Sequence, residues 1–448
     1  MSETKNQVED SHYVAHVKKA GSTHDISTNE DIISESGHKL IAKNVTLSGD
    51  MYEKLMQHKL LKPLDMSISV GGRLDSNTLQ EEFETIFRSE PLCKAILQHA
   101  ENANLIKASL KNIKLPEAIA GKMTVMRSSM PEMFRHSLIT ALLASYSGTL
   151  CGFNDKECIV LATAGLLHDM GNMHVDPLIF AKRERLDLPN LKQFYAHPII
   201  AFMIMQNFAE FKPLISAAVV EHHERMDGSG YPHQLQADML SPYGQLLSIL
   251  EVFVSVYTRS NSLKQALTVM RTNMRHFPAK LLAPVVTALN NLSINEPRAD
   301  IGHLKQNIVQ KLVLITQAIT AWQQPFLMVS DKDAAKSPAS LTTLHLDHIK
   351  ISMIRCGLIN HHLENVTKLN IENMLANNFD NELEYLVEMS TLVDDHVYQL
   401  VELIRNLLRR WPIIDKDIKT DKDTPLINWI SFVDQMLGKL PHNMFCVR

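Results

Sequence analysis

Apolar residues recur at helical spacing through residues 106–295, and this pattern restricts the fold more than any other feature of the sequence. Few strand signals interrupt it, and Gly and Pro residues separate successive helix-like stretches. We predict helices over Met133–Leu150, Cys158–Met170, Pro198–Phe208, Pro213–Glu224 and Tyr243–Tyr257. This part of the chain is therefore predicted to be an all-α domain.

The rest of the 448-residue chain contains three other kinds of sequence. Residues 1–34 are polar and are predicted to be a flexible tail. Residues 35–111 mix strand and helix signals, which indicates a small α+β accessory domain. Residues 296–448 are predicted to be a C-terminal helical bundle, with a linker near residues 330–340 where small and polar residues cluster. We place the central helical domain at residues 112–295, so the predicted fold class is mainly α.

Charge, cysteine content and hydropathy argue against several classes of protein. The formal net charge is -4, so no overall positive charge favours nucleic acid or an anionic membrane. The five cysteines form no CxxC pair, which predicts unpaired thiols in a reducing compartment. No stretch approaches the ~20 apolar residues that span a bilayer. We therefore predict a cytoplasmic protein that binds neither nucleic acid nor membrane.

His168 and Asp169 stand side by side at the end of a predicted helix, in the sequence GLLHDMGN. A carboxylate can contact two cations and an imidazole supplies a neutral nitrogen donor, so the pair suits a metal site. Taken alone, the dipeptide fits a helix-terminal histidine and a capping aspartate better. Other histidines and acidic residues on neighbouring predicted helices favour the metal site: Glu132, His136, His197, His222, His223 and Glu251. Such a mixed set suits iron, manganese or zinc better than magnesium or calcium.

The segment EHHERMDGSGYP at residues 221–232 is the most specific motif in the chain. Together with HDMG at 168–171 and HP at 197–198, it gives residues 112–270 a resemblance to the HD-GYP family of the HD phosphohydrolase superfamily. Proteins of this family typically hydrolyse cyclic di-GMP at a cluster of two or three metals, usually iron or manganese. The resemblance therefore implies a bacterial signalling phosphodiesterase that uses a metal-bridging hydroxide and releases pGpG or GMP.

The resemblance also implies roles for single residues. The family's metal-ligand positions fall on six residues of this chain: His136, His168, Asp169, His197, His222 and His223. Asp169 takes the position that bridges two metals, and with His168 it forms the implied catalytic pair. Glu251 stands where the family usually has Asp, and Glu132 stands at the extra acidic position of members that hold a third metal.

Two departures from the family pattern concern the residues that hold substrate. Asn172 replaces a lysine that touches the scissile phosphate in the family, and its amide carries no charge. The basic motif that usually follows the last ligand helix is also missing. Asn172, whose amide can still donate a hydrogen bond, stays a candidate for the substrate contact. Arg259, Lys264 and, from the GYP loop, Arg225 are the basic candidates for the phosphate contact. Loop scaffolding is the alternative for Arg225, and a solvated helix end is the alternative for the other two.

Three functions remain compatible with this sequence. The chain is an active cyclic di-GMP phosphodiesterase, a degenerate member that serves as a receptor or protein-interaction module, or a phosphohydrolase for another nucleotide. The full set of ligand-type residues favours the first. The partners that the resemblance implies are cyclic di-GMP and a diguanylate cyclase or another signalling protein. An apolar stripe between Leu383 and Leu408 predicts a bundle core or the seam of a homodimer.

Overall fold

A computed structural model of the chain describes residues 3–181, 188–211, 213–294, 301–326, 338–359, 383–410 and 424–438. These residues are mainly helical, with four short strands, so the predicted fold class is confirmed. The chain forms two compact units. The first unit is Met1–Ile179, Gln193–Leu263 and Asn273–Asn295, and the second is Phe180–Lys192, Lys264–Thr272 and Glu296–Arg448.

The first unit begins with mixed α and β structure. Its helices in this part are α1 (Glu3–Ala20), α2 (Asp50–Met56), α3 (Leu64–Ser67), α4 (Ser76–Ser89), α5 (Pro91–His99) and α6 (Ala103–Lys111). Its strands are β1 (Ile26–Thr28), β2 (Ile32–Ile33), β3 (Lys39–Ile41) and β4 (Ile68–Val70). β1 pairs antiparallel with β4, and β2 pairs antiparallel with β3. The α+β character predicted for residues 35–111 is therefore confirmed.

The prediction of a flexible tail at residues 1–34 is wrong. This segment contains α1, β1 and β2, and the side chains of Tyr13, Val14 and Val17 on α1 are buried. The polar composition concealed this helix because only one narrow face of it is apolar. β1 pairs with a strand far along the chain, so the contact that orders it is tertiary and leaves no local signal.

The central part of the chain is helical. Its helices are α7 (Glu117–Ser129), α8 (Pro131–Leu150), α9 (Asp155–Leu167), α10 (Pro177–Ala181), α11 (Leu188–Phe194), α12 (His197–Met205), α13 (Leu214–Glu221), α14 (Pro242–Ser260), α15 (Leu263–Thr272) and α16 (Ala279–Asn290). The end of α10 and most of α11 and α15 belong to the second unit. The five helices predicted from the sequence are all present, with ends that differ by less than one turn.

α8 and α9 pack against each other at the centre of the first unit, and α13 and α14 pack onto them. α9 begins with a capping box made by Asn154 and Glu157. Gly165 on α9 lies so close to α8 that an added Cβ would meet the Cα atom of Ala141 at 3.0 Å. This close packing holds the end of α9, where His168 and Asp169 stand, next to α8, α13 and α14.

A fully buried lysine joins the N-terminal elements to the helical part of the first unit. Lys122 Nζ on α7 lies 3.2 Å from Asp65 Oδ2 and 2.9 Å from His174 Nε2. It also lies 3.7 Å from the ring centroid of Tyr13 on α1. A buried ammonium group is costly without such partners, so these contacts hold α1, α3 and the 3-10 helix Met170–His174 on α7.

The second unit is built largely from α17 (Ile301–Phe326), α18 (Pro338–Arg355), α19 (Leu383–Arg410) and α20 (Thr424–Leu437). α19 packs against α17 and α18, and α20 packs against α17. Leu386, Val393 and Leu400 of the predicted apolar stripe are buried in this unit, which favours the bundle core over the dimer seam. The linker predicted near residues 330–340 lies mostly outside the described residues.

The described cysteines are unpaired, as the sequence predicts. Cys93, Cys151, Cys158 and Cys356 are free thiols, and Cys446 lies outside the described residues. Burial raises the pKa of Cys151 and Cys158 to about 11, which keeps both thiols protonated at neutral pH. Within the described ranges, no helix is both long enough and apolar enough to cross a membrane.

Candidate metal centre

His168 and Asp169 lie where α9 ends and the 3-10 helix Met170–His174 begins. Both side chains are buried. Gly171 packs so closely on the backbone of His197 that an added Cβ would lie 2.0 Å from the His197 carbonyl oxygen. The glycine of the HDMG sequence thus allows His197 to approach the His168–Asp169 pair.

Seven of the eight predicted metal ligands meet in the interior of the first unit, in two groups of side chains. The first group is His136, His168 and Glu251, and the second group is Asp169, His197, His222 and His223. The residues come from α8, α12 and α14 and from the segments that directly follow α9 and α13. All seven side chains are buried, so the sites are shielded from bulk water.

In the first group, one oxygen of Glu251 faces two imidazoles. Glu251 Oε2 lies 3.0 Å from His136 Nε2 and 3.1 Å from His168 Nε2, and these two nitrogens are 3.3 Å apart. The other oxygen, Oε1, accepts a hydrogen bond from Ser255 Oγ at 2.8 Å. Ser255 stands one turn after Glu251 on α14, so the helix itself orients the carboxylate.

Asp169, a member of the second group, also faces the first group. Its Oδ2 is 3.5 Å from His168 Nε2 in the first group, and its Oδ1 is 3.5 Å from His197 Nε2 in the second. His197 Nε2 is in turn 3.3 Å from His222 Nε2. Because each carboxylate oxygen faces a different group, this position suits the two-metal bridge that the resemblance implies.

The hydrogen bonds of the imidazoles fit a bound cation. In His168, His197 and His222, Nδ1 donates to the backbone carbonyl three residues earlier in the chain, at 2.5–2.8 Å. A neutral imidazole that donates from Nδ1 has its lone pair on Nε2. The Nε2 atoms of His197 and His222, which lie 3.3 Å apart, therefore present lone pairs to each other, an arrangement that repels unless a cation lies between them.

Burial and neighbouring charges separate the pKa values of the histidines. Burial lowers the pKa of His168, but the carboxylates of Asp169 and Glu251 outweigh it and raise the pKa to about 9. Burial lowers the pKa of His222 to about 3 and that of His223 well below its usual value, and neighbouring histidines add to the effect. The second group therefore offers neutral nitrogen donors at neutral pH, as metal coordination requires.

Residues 122–281 match the family model described as an HD domain. This chain contains an HD domain. The matched range includes all seven residues of the two groups. The resemblance to the HD superfamily that the motifs predict is therefore confirmed for residues 122–281.

Curated proteins similar to this chain are named as bacterial cyclic-dinucleotide phosphodiesterases. A 3'3'-cGAMP-specific phosphodiesterase of Vibrio cholerae is 26% identical over 155 residues, which are 34% of this chain and 34% of the relative. A cyclic di-GMP phosphodiesterase of Borreliella burgdorferi is 24% identical over 189 residues, 41% of this chain and 48% of the relative. One of Pseudomonas aeruginosa is 24% identical over 212 residues, 46% and 50% of the two chains. This chain thus spans half or less of the length of these relatives.

A solved structure is also similar to part of the chain. It is an HDG"Y"P protein from Bdellovibrio bacteriovorus, with 16% sequence identity and a TM-score of 0.35. The alignment covers 61% of this chain and 98% of that protein.

The loop that follows α13 in the HD domain is anchored by the buried side chain of Glu224. Its two carboxylate oxygens accept hydrogen bonds from the three backbone N–H groups of residues 233–235, at 2.6–3.0 Å. The loop between Glu224 and residue 233 places the ring of Tyr231 on the imidazole of His223, with ring centroids 4.5 Å apart. Glu224 therefore positions the second group, a role that its place inside the HHERMDGSGYP motif did not reveal.

Asn172 is buried in the HD domain and faces Asp169. Its Nδ2 donates a hydrogen bond to Asp169 Oδ1 at 2.8 Å. Its own Oδ1 has no hydrogen-bond partner among the described residues. The amide thus supports the carboxylate that lies between the two groups, which differs from the phosphate contact of the lysine that it replaces.

Glu132 is the predicted ligand that the HD domain does not bring into either group. It lies in the first turn of α8, four residues before His136, and it is exposed. The spacing predicts that both side chains lie on one side of the helix, but Glu132 at the start of α8 is exposed, whereas His136 one turn later is buried. A third metal at Glu132 stays a prediction.

The three basic residues predicted to hold phosphate lie apart from one another in the sequence, and each has different surroundings. Arg225 donates to the carbonyl of Glu224 at 2.8 Å, and its guanidinium lies 5.3 Å from the ring centroid of Phe277, which favours loop scaffolding. Arg259 is exposed near the end of α14, and Lys264 belongs to the second unit. Phosphate contacts by Arg259 and Lys264 stay predictions.

Proposed function

We propose that the HD domain is a metal-dependent phosphodiesterase that hydrolyses a cyclic dinucleotide. The observation that carries this proposal is the pair of buried ligand groups with Asp169 between them. The first group would hold one cation and the second group another, with Asp169 as their common ligand. Divalent cations bound there, iron or manganese by the resemblance, lower the pKa of water and neutralise charge on a phosphate.

The residues of the chain itself hold, orient and shield this centre. Neighbouring histidines lower the pKa of Asp169 although burial opposes its ionisation, so the carboxylate is charged at neutral pH. Asn172 fixes the rotation of that carboxylate through Oδ1, and Ser255 does the same for Glu251. Hydrolysis adds one water across a P–O bond of the cyclic dinucleotide and leaves a linear dinucleotide with a terminal phosphate.

Cyclic di-GMP is the substrate that we propose. The curated relatives are named for cyclic di-GMP or for 3'3'-cGAMP, and both are cyclic dinucleotides with two phosphodiester bonds. The phosphates and riboses are common to both, so the ligand groups suit either compound. The products would be pGpG and, after a second hydrolysis, GMP.

The domain boundaries and partners belong to the same proposal. We place the catalytic domain at residues 112–295, the accessory domain at residues 35–111 and a C-terminal helical region at residues 296–448. A diguanylate cyclase or another signalling protein is the partner that the resemblance implies, and a second copy of this chain is the partner that the apolar stripe between Leu383 and Leu408 leaves open.

A nucleotide receptor without turnover is the second candidate, and Asn172 is the observation that favours it. Its amide faces Asp169 and supplies no positive charge to a phosphate. Metal binding and nucleotide binding would both persist in such a protein, while the transition state would lack one charged contact.

Turnover by the metal-loaded wild-type protein decides between the phosphodiesterase and the nucleotide receptor. The full chain would be purified without oxygen, its metals counted, and cyclic di-GMP and 3'3'-cGAMP hydrolysis followed before and after chelation. His168→Ala serves as the site-deficient variant, and His58→Ala, an exposed histidine of the first unit, serves as its control. A metal-loaded wild type that binds nucleotide without cutting it would support the receptor and exclude the phosphodiesterase.

Asn172→Lys is expected to raise turnover of cyclic di-GMP about tenfold, which corresponds to about 1.4 kcal/mol of transition-state stabilisation. The new ammonium group restores the charge that the family uses on the scissile phosphate, and it retains an N–H donor for Asp169. Asn172→Met, of similar length but without charge or donor, is the control and should lower turnover. Equal losses in both variants would show that the amide itself is required.

A further inference from the structure

Glu90 lies between α4 and α5, outside the HD domain, yet its side chain is buried, with a relative exposure of 1%. Its backbone is fixed by both helices. The Glu90 N–H donates to the carbonyl of Ile86 at 2.9 Å, and its carbonyl accepts from the N–H of Lys94 at 3.0 Å. The carboxylate is therefore presented from a rigid point of the accessory region.

Each oxygen of the Glu90 carboxylate contacts a different helix of the HD domain. Oε1 accepts a hydrogen bond from the hydroxyl of Tyr257 on α14 at 2.6 Å. Oε2 forms an ion pair with the guanidinium of Arg135 on α8. His136 directly follows Arg135 on α8, and Glu251 precedes Tyr257 on α14 by less than two turns, or about 9 Å along the axis.

The two helices that Glu90 joins supply two of the three residues of the first group. His136 Nε2 and Glu251 Oε2 meet at 3.0 Å across the contact between α8 and α14. A shift of one helix against the other would change this distance. The second group has no residue on α8 or α14, because its members lie on α12 or follow α9 and α13.

We propose that Glu90 is a positioning residue that sets the spacing of α8 and α14 and thereby the metal affinity of the first group. A buried carboxylate costs free energy unless its oxygens are paired, and here both oxygens are paired with ligand-bearing helices. The accessory region thus contributes to the metal centre without touching it. This inference rests on the proposed function only in taking the first group as a metal site.

The test is a Mn²⁺ titration of the metal-free full chain by calorimetry. His136→Ala identifies which class of bound Mn²⁺ belongs to the first group. Glu90→Gln removes the ion pair with Arg135 and is expected to weaken that class about tenfold, at the lower end of the 10–100-fold range for outer-shell substitutions. Tyr257→Phe removes the hydroxyl that donates to Oε1 but keeps the ion pair of Glu90 with Arg135, and it is expected to weaken the same class about threefold, a smaller fraction of that range.

Glu82→Gln is the matched control. Glu82 also lies in the accessory region and pairs with an arginine of the HD domain, Arg127, at 3.0 Å. Arg127 lies on α7, which has no residue of either group, so both classes of Mn²⁺ should bind as in the wild type. Wild-type Mn²⁺ binding by Glu90→Gln, or an equal weakening of both classes, would overturn the proposal. If Glu90→Gln does not fold, Tyr257→Phe decides by the same two criteria.

Hydrolysis of cyclic di-GMP by the same wild-type sample separates this inference from the proposed function. A wild type without turnover, together with a selective loss in Glu90→Gln, refutes the phosphodiesterase and supports the positioning role. A wild type with turnover, together with unchanged Mn²⁺ binding in Glu90→Gln, supports the phosphodiesterase and refutes the positioning role.

Discussion

Replacing Asp169 by asparagine is expected to lower hydrolysis of cyclic di-GMP roughly 1000-fold, the order of loss seen when a charge-stabilising group is removed from an active site. One carboxylate oxygen faces the first group and the other faces the second. An asparagine amide has a single oxygen, and its NH2 group would direct hydrogens at one of the two cations. Fewer metal ions should therefore be bound per chain, which metal analysis of the same sample measures.

Asp176→Asn is the control for this change. Asp176 lies shortly after the 3-10 helix Met170–His174 and accepts a hydrogen bond from the N–H of Leu178 at 2.9 Å, outside both groups. It should retain wild-type metal content and turnover. Full turnover or full metal content in Asp169→Asn would contradict the role of Asp169 as the common ligand.

Glu224→Ala is expected to lower the free energy of unfolding of the metal-free protein by about 3 kcal/mol, since each buried donor left without a partner costs about 1–3 kcal/mol. The carboxylate accepts the N–H groups of residues 233–235, and alanine leaves all three without it. Burial raises the pKa of Glu224, and the hydrogen bonds from the backbone N–H groups offset this rise only in part. The net stabilisation by these hydrogen bonds is therefore reduced by the desolvation cost of the carboxylate. Chemical denaturation of the metal-free chain measures the change without a contribution from metal binding.

Glu224→Ala should also weaken metal binding by the second group. Without the anchor, the loop no longer holds the Tyr231 ring on His223, so Mn²⁺ binding at that group should fall while the first group is spared. Glu224→Gln keeps one acceptor oxygen and should be intermediate. Glu210→Gln removes an exposed carboxylate of the same domain and should change neither property. Unchanged unfolding in Glu224→Ala would show that the loop is held by other contacts.

Together, the two predictions separate the roles within the centre. Asp169 is proposed to act on the cations directly, whereas Glu224 acts through the loop and Glu90 through α8 and α14. Loss of turnover with intact metal binding, in any of these variants, would indicate that the residue affects substrate rather than metal.

The sequence by itself determined the helical character of the central domain and the residues that meet in the two candidate ligand groups. Both depend on local signals: apolar residues at helical spacing, and histidines with acidic residues at the ends of successive helices. The HD pair, the HP pair and the GYP segment each have a fixed pattern over a few residues. Patterns of this kind lie within short stretches of the sequence, so they can be recognised without any knowledge of tertiary contacts.

Only the tertiary structure decided how these residues are divided and supported. It separated the seven side chains into two groups, placed Asp169 where its two oxygens face both groups, and left Glu132 at the surface. It also ordered α1 and the four strands and brought Glu90 onto α8 and α14. Each of these outcomes depends on contacts between parts of the chain far apart in sequence, or on which turn of a helix reaches the core. Such contacts form only when the helices pack, so no local pattern of residues records them.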